Sequence, residues 1–190
     1  TKPFIPITDP NLVCWWMLEE NEGTIVLDQS GHDHDGEFRG SPEWVDGLDG
    51  YALQFSGVAG RDYVVHSLDA ASDWTAGTLT LWVKAETVGQ AQYNSAFTNH
   101  YPNTAGFQID VDGATPGVYR VNPPGLEFGP VTTAWTHLAV SFEGTAATLY
   151  YNGELAVSGT LNNTTFNQFA IAVNRNANNW LAGTIDDFRV

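Results

Sequence analysis

The sequence predicts an all-β fold, two antiparallel sheets packed as a sandwich, and three observations carry that expectation. Short apolar runs alternate with clusters of Gly, Asn, Asp and Pro along the whole chain, as strands joined by turns require. One junction, Asn152-Gly153, lies between two apolar runs and has residues that tolerate positive φ at both centres of a type I′ hairpin turn. No apolar i, i+3, i+4, i+7 stripe runs longer than a turn or two. The chain of 190 residues is long enough for one well-buried core. With neither a low-complexity linker nor an internal repeat, 1–190 reads as a single domain.

Taken in order, the apolar runs predict strands at 12–18, 24–28, 52–56, 63–66, 79–84, 107–111, 118–122, 137–142, 147–151, 155–160, 169–173 and 183–190. In 79–84, Leu79, Leu81 and Val83 alternate with Thr80, Trp82 and Lys84, which suggests a strand covered on both faces. Asp112-Gly113 is a second turn candidate of the Asn-Gly kind, and 69–74 is expected to form a short helical turn. Trp16, Phe55, Trp82, Trp135 and Phe142 fall in strand motifs and are expected in the core, because large aromatics bury the most apolar area.

The charge balance narrows the partners. Asp and Glu number 22 against 7 Lys and Arg, a net charge of −15. Such a surface repels phosphate backbones and anionic lipid, so nucleic acid is excluded as a partner. No stretch approaches the roughly 18 apolar residues of a membrane span, so membrane insertion is not expected. Cys14 is the single cysteine, and in its apolar run it reads as a small buried hydrophobe.

Seven segments together resemble the laminin-G-like, concanavalin A-like jelly-roll family. They are LVCWWMLEENEG at 12–23, VLDQSGHDHDG at 26–36, GYALQFSG at 50–57, TLWVK at 80–84, WTHLAVSFEG at 135–144, LYYNG at 149–153 and GTIDDFRV at 183–190. They cover nearly the whole chain in order. His32 and His34 stand where the family pattern carries Asn. The resemblance implies a two-sheet antiparallel jelly-roll sandwich serving as a carbohydrate-binding or adhesion module. It would belong to a larger secreted or cell-surface protein, covalently linked to other domains. The resemblance also implies a structural calcium ion, Ca2+, held by Asp28 and Asp33 and closed by Asp187.

The residues themselves leave the metal open. Segment 28–36 packs three acids, a Ser and two Gly into nine residues. A tight glycine loop can aim carboxylate and carbonyl oxygens at a hard cation. A solvated acidic turn has the same composition, and His32 with His34 adds a borderline transition-metal reading.

Catalytic signatures are missing. A retaining glycosidase needs two carboxylates about 5–5.5 Å apart, which a strand supplies as Glu-x-Asp-x-Glu, and no such triplet occurs. Asp110-Val-Asp112 is the nearest pair. Gly-x-Ser-x-Gly and His-Glu-x-x-His are absent, and the Gln-Ile-His and Tyr-Phe-Lys motifs of the related alginate lyases are not found. His137 reads as a half-buried strand residue, and the chain is expected not to be an enzyme. Binding chemistry is better represented. Sugars are held by aromatic faces and by planar amide, carboxylate or guanidinium groups. The polar segments 89–106 and 174–180 carry that inventory, and Arg120 lies on a strand beside Asn122. The candidate glycan contacts are Tyr93, Asn99, His100, Tyr101, Arg120, Arg175 and Trp180, each expected to be at least partly exposed. If Arg120 and Arg175 face one groove, an acidic polysaccharide becomes attractive. The rival function is a protein–protein adhesion or structural module of a cell-surface protein, and a large flat apolar patch would favour adhesion.

Overall fold

The structure is a computed structural model and describes residues 9–114 and 116–190. Among these residues there are sixteen strands: β1 (Trp15–Trp16), β2 (Ile25–Val26), β3 (Gly36–Arg39), β4 (Glu43–Asp46), β5 (Tyr51–Ser56), β6 (Tyr63–Asp73), β7 (Ala76–Ala85), β8 (Ser95–Thr98), β9 (Gln108–Val111), β10 (Val118–Asn122), β11 (Leu126–Pro130), β12 (Thr136–Glu143), β13 (Ala146–Tyr151), β14 (Glu154–Thr160), β15 (Thr165–Ile171) and β16 (Ala182–Arg189). They form two antiparallel sheets. Sheet A runs β14-β13-β12-β7-β16-β5-β4 with β1 beside β16, and sheet B runs β11-β10-β9-β8-β15-β6-β3-β2. The jelly-roll sandwich read from the sequence is the fold.

Period-two alternation sets what each sheet turns inward. Leu79, Leu81 and Val83 of β7 and Leu138, Val140 and Phe142 of β12 face sheet B, where Phe97, Ile109, Val121, Phe166 and Phe169 meet them in one core cluster extending from Cys14 to Val190. Aromatic rings dominate its centre. Phe166 lies 5.9 Å from Phe107 and 6.1 Å from Phe169, and Phe188 lies 5.0 Å from Trp16. Cys14 is fully buried, and burial raises its thiol well above the ordinary range. The hairpin at Asn152-Gly153 forms as its chemistry demands, with φ of 52° and 82° and Tyr151 paired to Glu154.

Some expectations change. The segment 69–74 is no helical turn, because β6 continues to Asp73 through pairing of Ser72 and Asp73 with Phe166 and Thr165. Asp112-Gly113 does join antiparallel β9 and β10, yet as the start of a six-residue connection. Trp16, Phe55 and Phe142 are core residues. Trp82 and Trp135 are not. Both are only partly buried and belong to the solvent side of sheet A, since alternation gives the inward positions to their neighbours. There Trp82 packs on its cross-strand partner His137 with ring centroids 5.0 Å apart, and Lys84 lies 4.9 Å over the Trp135 ring. Such cross-strand pairs stabilise the sheet without being its core. Asp186, opposite Trp82 on β16, is 3% exposed and accepts the Leu48 amide at 2.8 Å. Burial pushes its carboxyl up to about 6; the Leu48 amide opposes this, while Asp187 and Glu19 add to it.

Two measurements check these placements. In urea titrations, Trp16→Ala should cost the about 3–5 kcal/mol of a fully buried ring, whereas Trp82→Ala and Trp135→Ala should each cost about 1–2 kcal/mol because part of each ring stays in water. Asp186 has a raised folded-state pKa, so its ionised form destabilises the protein at neutral pH. That penalty fades as the pH falls through about 6 towards the unfolded value near 4. Asp186→Asn should therefore raise stability by up to roughly 2 kcal/mol near pH 8, with the gain vanishing near pH 4.

Candidate functional site

The alternation that fills the core from sheet B leaves Gln108 and Asp110 of β9 and Arg120 and Asn122 of β10 on the outer face. Ile109 and Val121 point inward, and the register sets Arg120 opposite Asp110 and Asn122 opposite Gln108. Asp110 has no exposed surface. A buried carboxylate needs a full set of donors, and the neighbours supply them. Arg120 Nε donates to Asp110 at 2.7 Å, Asn122 Nδ2 at 2.8 Å and Gln108 Nε2 at 2.5 Å. Gln108 Oε1 then accepts the Arg175 amide at 3.0 Å and its Nε at 3.3 Å, while Arg175 Nη1 donates to the Gly106 carbonyl at 3.1 Å. Five side chains thus form one hydrogen-bonded platform. Arg120 keeps both Nη groups without a protein partner among the described residues, and its side chain is 18% exposed. The Tyr93 ring lies 5.6 Å from the Arg120 guanidinium.

Two loops wall this platform. Residues 99–106 are pinned by amides: Asn167 exchanges hydrogen bonds with the Tyr101 backbone, Asn163 accepts the Gly106 amide at 2.6 Å, and Asn99 Oδ1 accepts the Phe107 amide at 2.7 Å. Gly106 has φ of 68°, and a Cβ there would sit 2.3 Å from Asn99 Oδ1, so only glycine fits. Residues 174–179 form a turn around Asn174, whose Oδ1 accepts the amides of Asn178 and Asn179. Asn179 Nδ2 donates to the Gln92 carbonyl, next to Tyr93. Burial lowers the Arg175 pKa, opposed by the charge of Asp110.

The seven residues named from the sequence therefore separate. Arg120, Arg175 and Tyr93 meet at the platform, and Tyr101, 51% exposed, sits on the loop that Arg175 holds. Asn99 and His100 are corrected: both are buried, at 0% and 6% exposure, because Asn99 staples its own loop and His100 Nδ1 lies 2.8 Å from the Pro102 carbonyl. Trp180 is partly buried, with the Arg61 guanidinium 5.6 Å from its ring and its Nε1 without a partner among the described residues. Gln108 and Asp110 were missed as site residues. Their signal is the polar i, i+2 pair on β9 matching Arg120-x-Asn122 on β10. An open groove of about 1200 Å³ lies on the other sheet, floored by Thr78, Thr80, Ser141, Thr148 and Ser158. Beside these hydroxyls its lining includes Trp74, Glu143 and Arg189, the last paired with Asp187.

The calcium ligands do not assemble. Asp28 spends both oxygens on protein donors: the amides of Trp15 (2.8 Å), Ser30 (2.9 Å) and His34 (3.1 Å), and the Ser30 hydroxyl at 2.7 Å. Burial alone would raise its pKa, yet these donors hold it below the ordinary carboxylate value. Asp187 accepts Trp15 Nε1 at 2.7 Å and forms a two-pronged pair with Arg189 at 2.9 and 2.8 Å. Asp33 is exposed, with φ of 60°. Among the described residues no three His, Cys, Asp or Glu side chains converge as a metal site. Calcium needs about 6–8 oxygens with free lone pairs, and this donor set does not fit it. The loop is a hydrogen-bonded clamp on β1. Thermal melting with and without a chelator should give the same midpoint; a drop on chelation would show that the clamp opens to bind metal.

Residues 58–190 match the model of the concanavalin A-like lectin/glucanases superfamily. No curated protein matches the chain. Among solved structures, domain 4 of AbnA, an extracellular arabinanase from Geobacillus stearothermophilus in complex with arabinotriose, is similar at 20% identity and a TM-score of 0.67, covering 94% of this chain and 90% of that domain. The binding domain of Paraclostridial mosquitocidal protein 1 is similar at 19% identity and a TM-score of 0.66, over 94% of this chain and 48% of that one. Trypanosoma rangeli sialidase in complex with sialic acid is similar at 14% identity and a TM-score of 0.69, over 98% of this chain and 32% of the sialidase. The chain thus spans nearly all of the arabinanase domain, about half of the mosquitocidal protein's binding domain and about a third of the sialidase. At these identities the likeness is one of fold, and with 58–190 matched the chain belongs to the concanavalin A-like lectin/glucanases superfamily.

Proposed function

We propose that this chain is a carbohydrate-binding module whose site is the outer face of sheet B at Arg120, Asn122 and Arg175, flanked by Tyr93 and Tyr101. The observation that carries the reading is the platform itself. A guanidinium fixed by a buried carboxylate presents unspent donors beside the Tyr93 ring, 41% exposed, and Tyr101, 51% exposed, stands on the loop that Arg175 holds. Sugars need that combination of oriented polar groups and stacking faces. The arabinanase domain, solved with arabinotriose, supports the same reading by analogy of fold.

The module is non-catalytic in this reading: Asp110 is buried and held by three donors, which shuts it off from a ligand. It serves a larger secreted or cell-surface protein, which is supported by the extracellular arabinanase and by the larger proteins of which similar domains are parts. No helix among the described residues is long and apolar enough to cross a membrane. The adhesion reading gains no specific support. Of the exposed large aliphatic side chains Ile25, Leu27, Leu48, Val58, Val88 and Leu155, only Ile25 and Leu27 are near one another in sequence.

Calorimetric titration against hits from a glycan array tests the assignment. Tyr93→Ala and Tyr101→Ala should each weaken binding about tenfold, about 1.4 kcal/mol, with the melting midpoint unchanged. Undiminished binding by the double variant would place the site elsewhere.

A further inference from the structure

The polar atoms left over at the platform are not a balanced set. Asn122 Nδ2 and Gln108 Nε2 each give one N–H to Asp110. Gln108 Oε1 is taken by Arg175. Among the described residues the Nη1/Nη2 edge of Arg120 and Nη2 of Arg175 remain without a protein partner, so the charged donors left over belong to two cations, beside one N–H and the Oδ1 of half-buried Asn122. The Nε bond to Asp110 fixes the Arg120 plane, and Tyr93 lies against the guanidinium. A guanidinium held in this way has its remaining fork set for the two oxygens of a carboxylate, with little ordering left to do on binding.

Resting on the glycan reading, we infer that the ligand carries a carboxylate, as uronic and sialic acid sugars do, and that Arg120 grips it with Arg175 behind. Within a chain of net charge −15 and five arginines, two of those arginines meet at this face. Their charge has a counterweight. Glu127 stands opposite Arg120 across β10 and β11, exposed, and within salt-bridge range of no base that the structure describes. Asp112, further along the same face of β9, is turned into its own loop, where it accepts the Ala114 and Val118 amides. Glu127 therefore opposes an incoming anion, while Asp110 beneath Arg120 keeps the guanidinium oriented.

The test uses matched pairs of oligosaccharides that differ in their acid group: oligogalacturonate against its methyl ester, and sialyllactose against lactose. Calorimetry on the whole chain should show at least one acid form binding tenfold or more tightly than its neutral partner, with the pair that responds separating uronate from sialate. Arg120→Lys keeps a cation for Asp110 but removes the fork. It should narrow the ratio of acid-form to neutral-form affinity about tenfold, with its melting midpoint as the control for folding. Glu127→Gln should gain several-fold for the acid form alone. Equal binding of acid and neutral forms, lost in Tyr93→Ala, overturns the acid preference and leaves the glycan reading intact. Acid binding that survives Arg120→Lys overturns the inference as well. No binding of either pair or of any arrayed glycan overturns both readings.

Discussion

A carboxylate with no exposed surface, on the outer face of a sheet, constrains everything around it. A buried carboxyl group needs hydrogen-bond partners, and β9 and β10 deliver three to Asp110 from positions that alternation has already turned outward. Satisfying Asp110 fixes Gln108, whose free carbonyl then draws in Arg175, and Arg175 in turn carries the 99–106 and 174–179 loops against the sheet. The order of the loops thus follows from one buried charge. A similar logic acts at the other end of the chain. Asp28 spends both oxygens on the backbone and hydroxyl of its own loop and on β1. Each case shows an acid in this strongly acidic chain performing structural work rather than lining the surface.

The two sheets divide their tasks. Sheet B turns a polar, hydrogen-bonded network to solvent, while sheet A turns out paired aromatics and cations such as Trp82 with His137 and Lys84 with Trp135. Both outer faces rest on the same inner layer of Leu, Val and Phe. Substitutions outside can therefore change chemistry without rebuilding the core, which is how one fold carries many sites.

Much of the fold was legible because turn chemistry and alternation are local. Asn152-Gly153, the Leu79-Leu81-Val83 face and the terminal 183–190 strand needed no tertiary information. Four strands escaped. Gly36–Arg39 and Glu43–Asp46 have charged residues among few apolar ones, Ser95–Thr98 is short and lies between polar loops, and Leu126–Pro130 contains Gly and Pro, which read as breakers. The second half of Tyr63–Asp73 has Ala and Asp in place of strand formers and is extended only because β15 pairs with it. At the site, Arg120 with Asn122 was visible as a polar alternation. The part played by Gln108 and Asp110 was not, because it is a cross-strand property that depends on register. Trp82 was misplaced for the opposite reason: an aromatic in a strand motif suggests burial, although its parity puts it outside.

The closure of the sandwich has a topological consequence. Val13 donates to the Val190 carbonyl at 2.8 Å and Val190 donates back to Cys14 at 2.9 Å, while Trp15 and Trp16 pair with Arg189 and Phe188. The first and last strands among the described residues are antiparallel neighbours. A short peptide joining them and a cut at the exposed Asn152-Gly153 turn would reorder the sequence while keeping every strand in its place. Folds with adjacent ends tolerate such circular permutation, just as they tolerate being spliced whole into a loop of another protein.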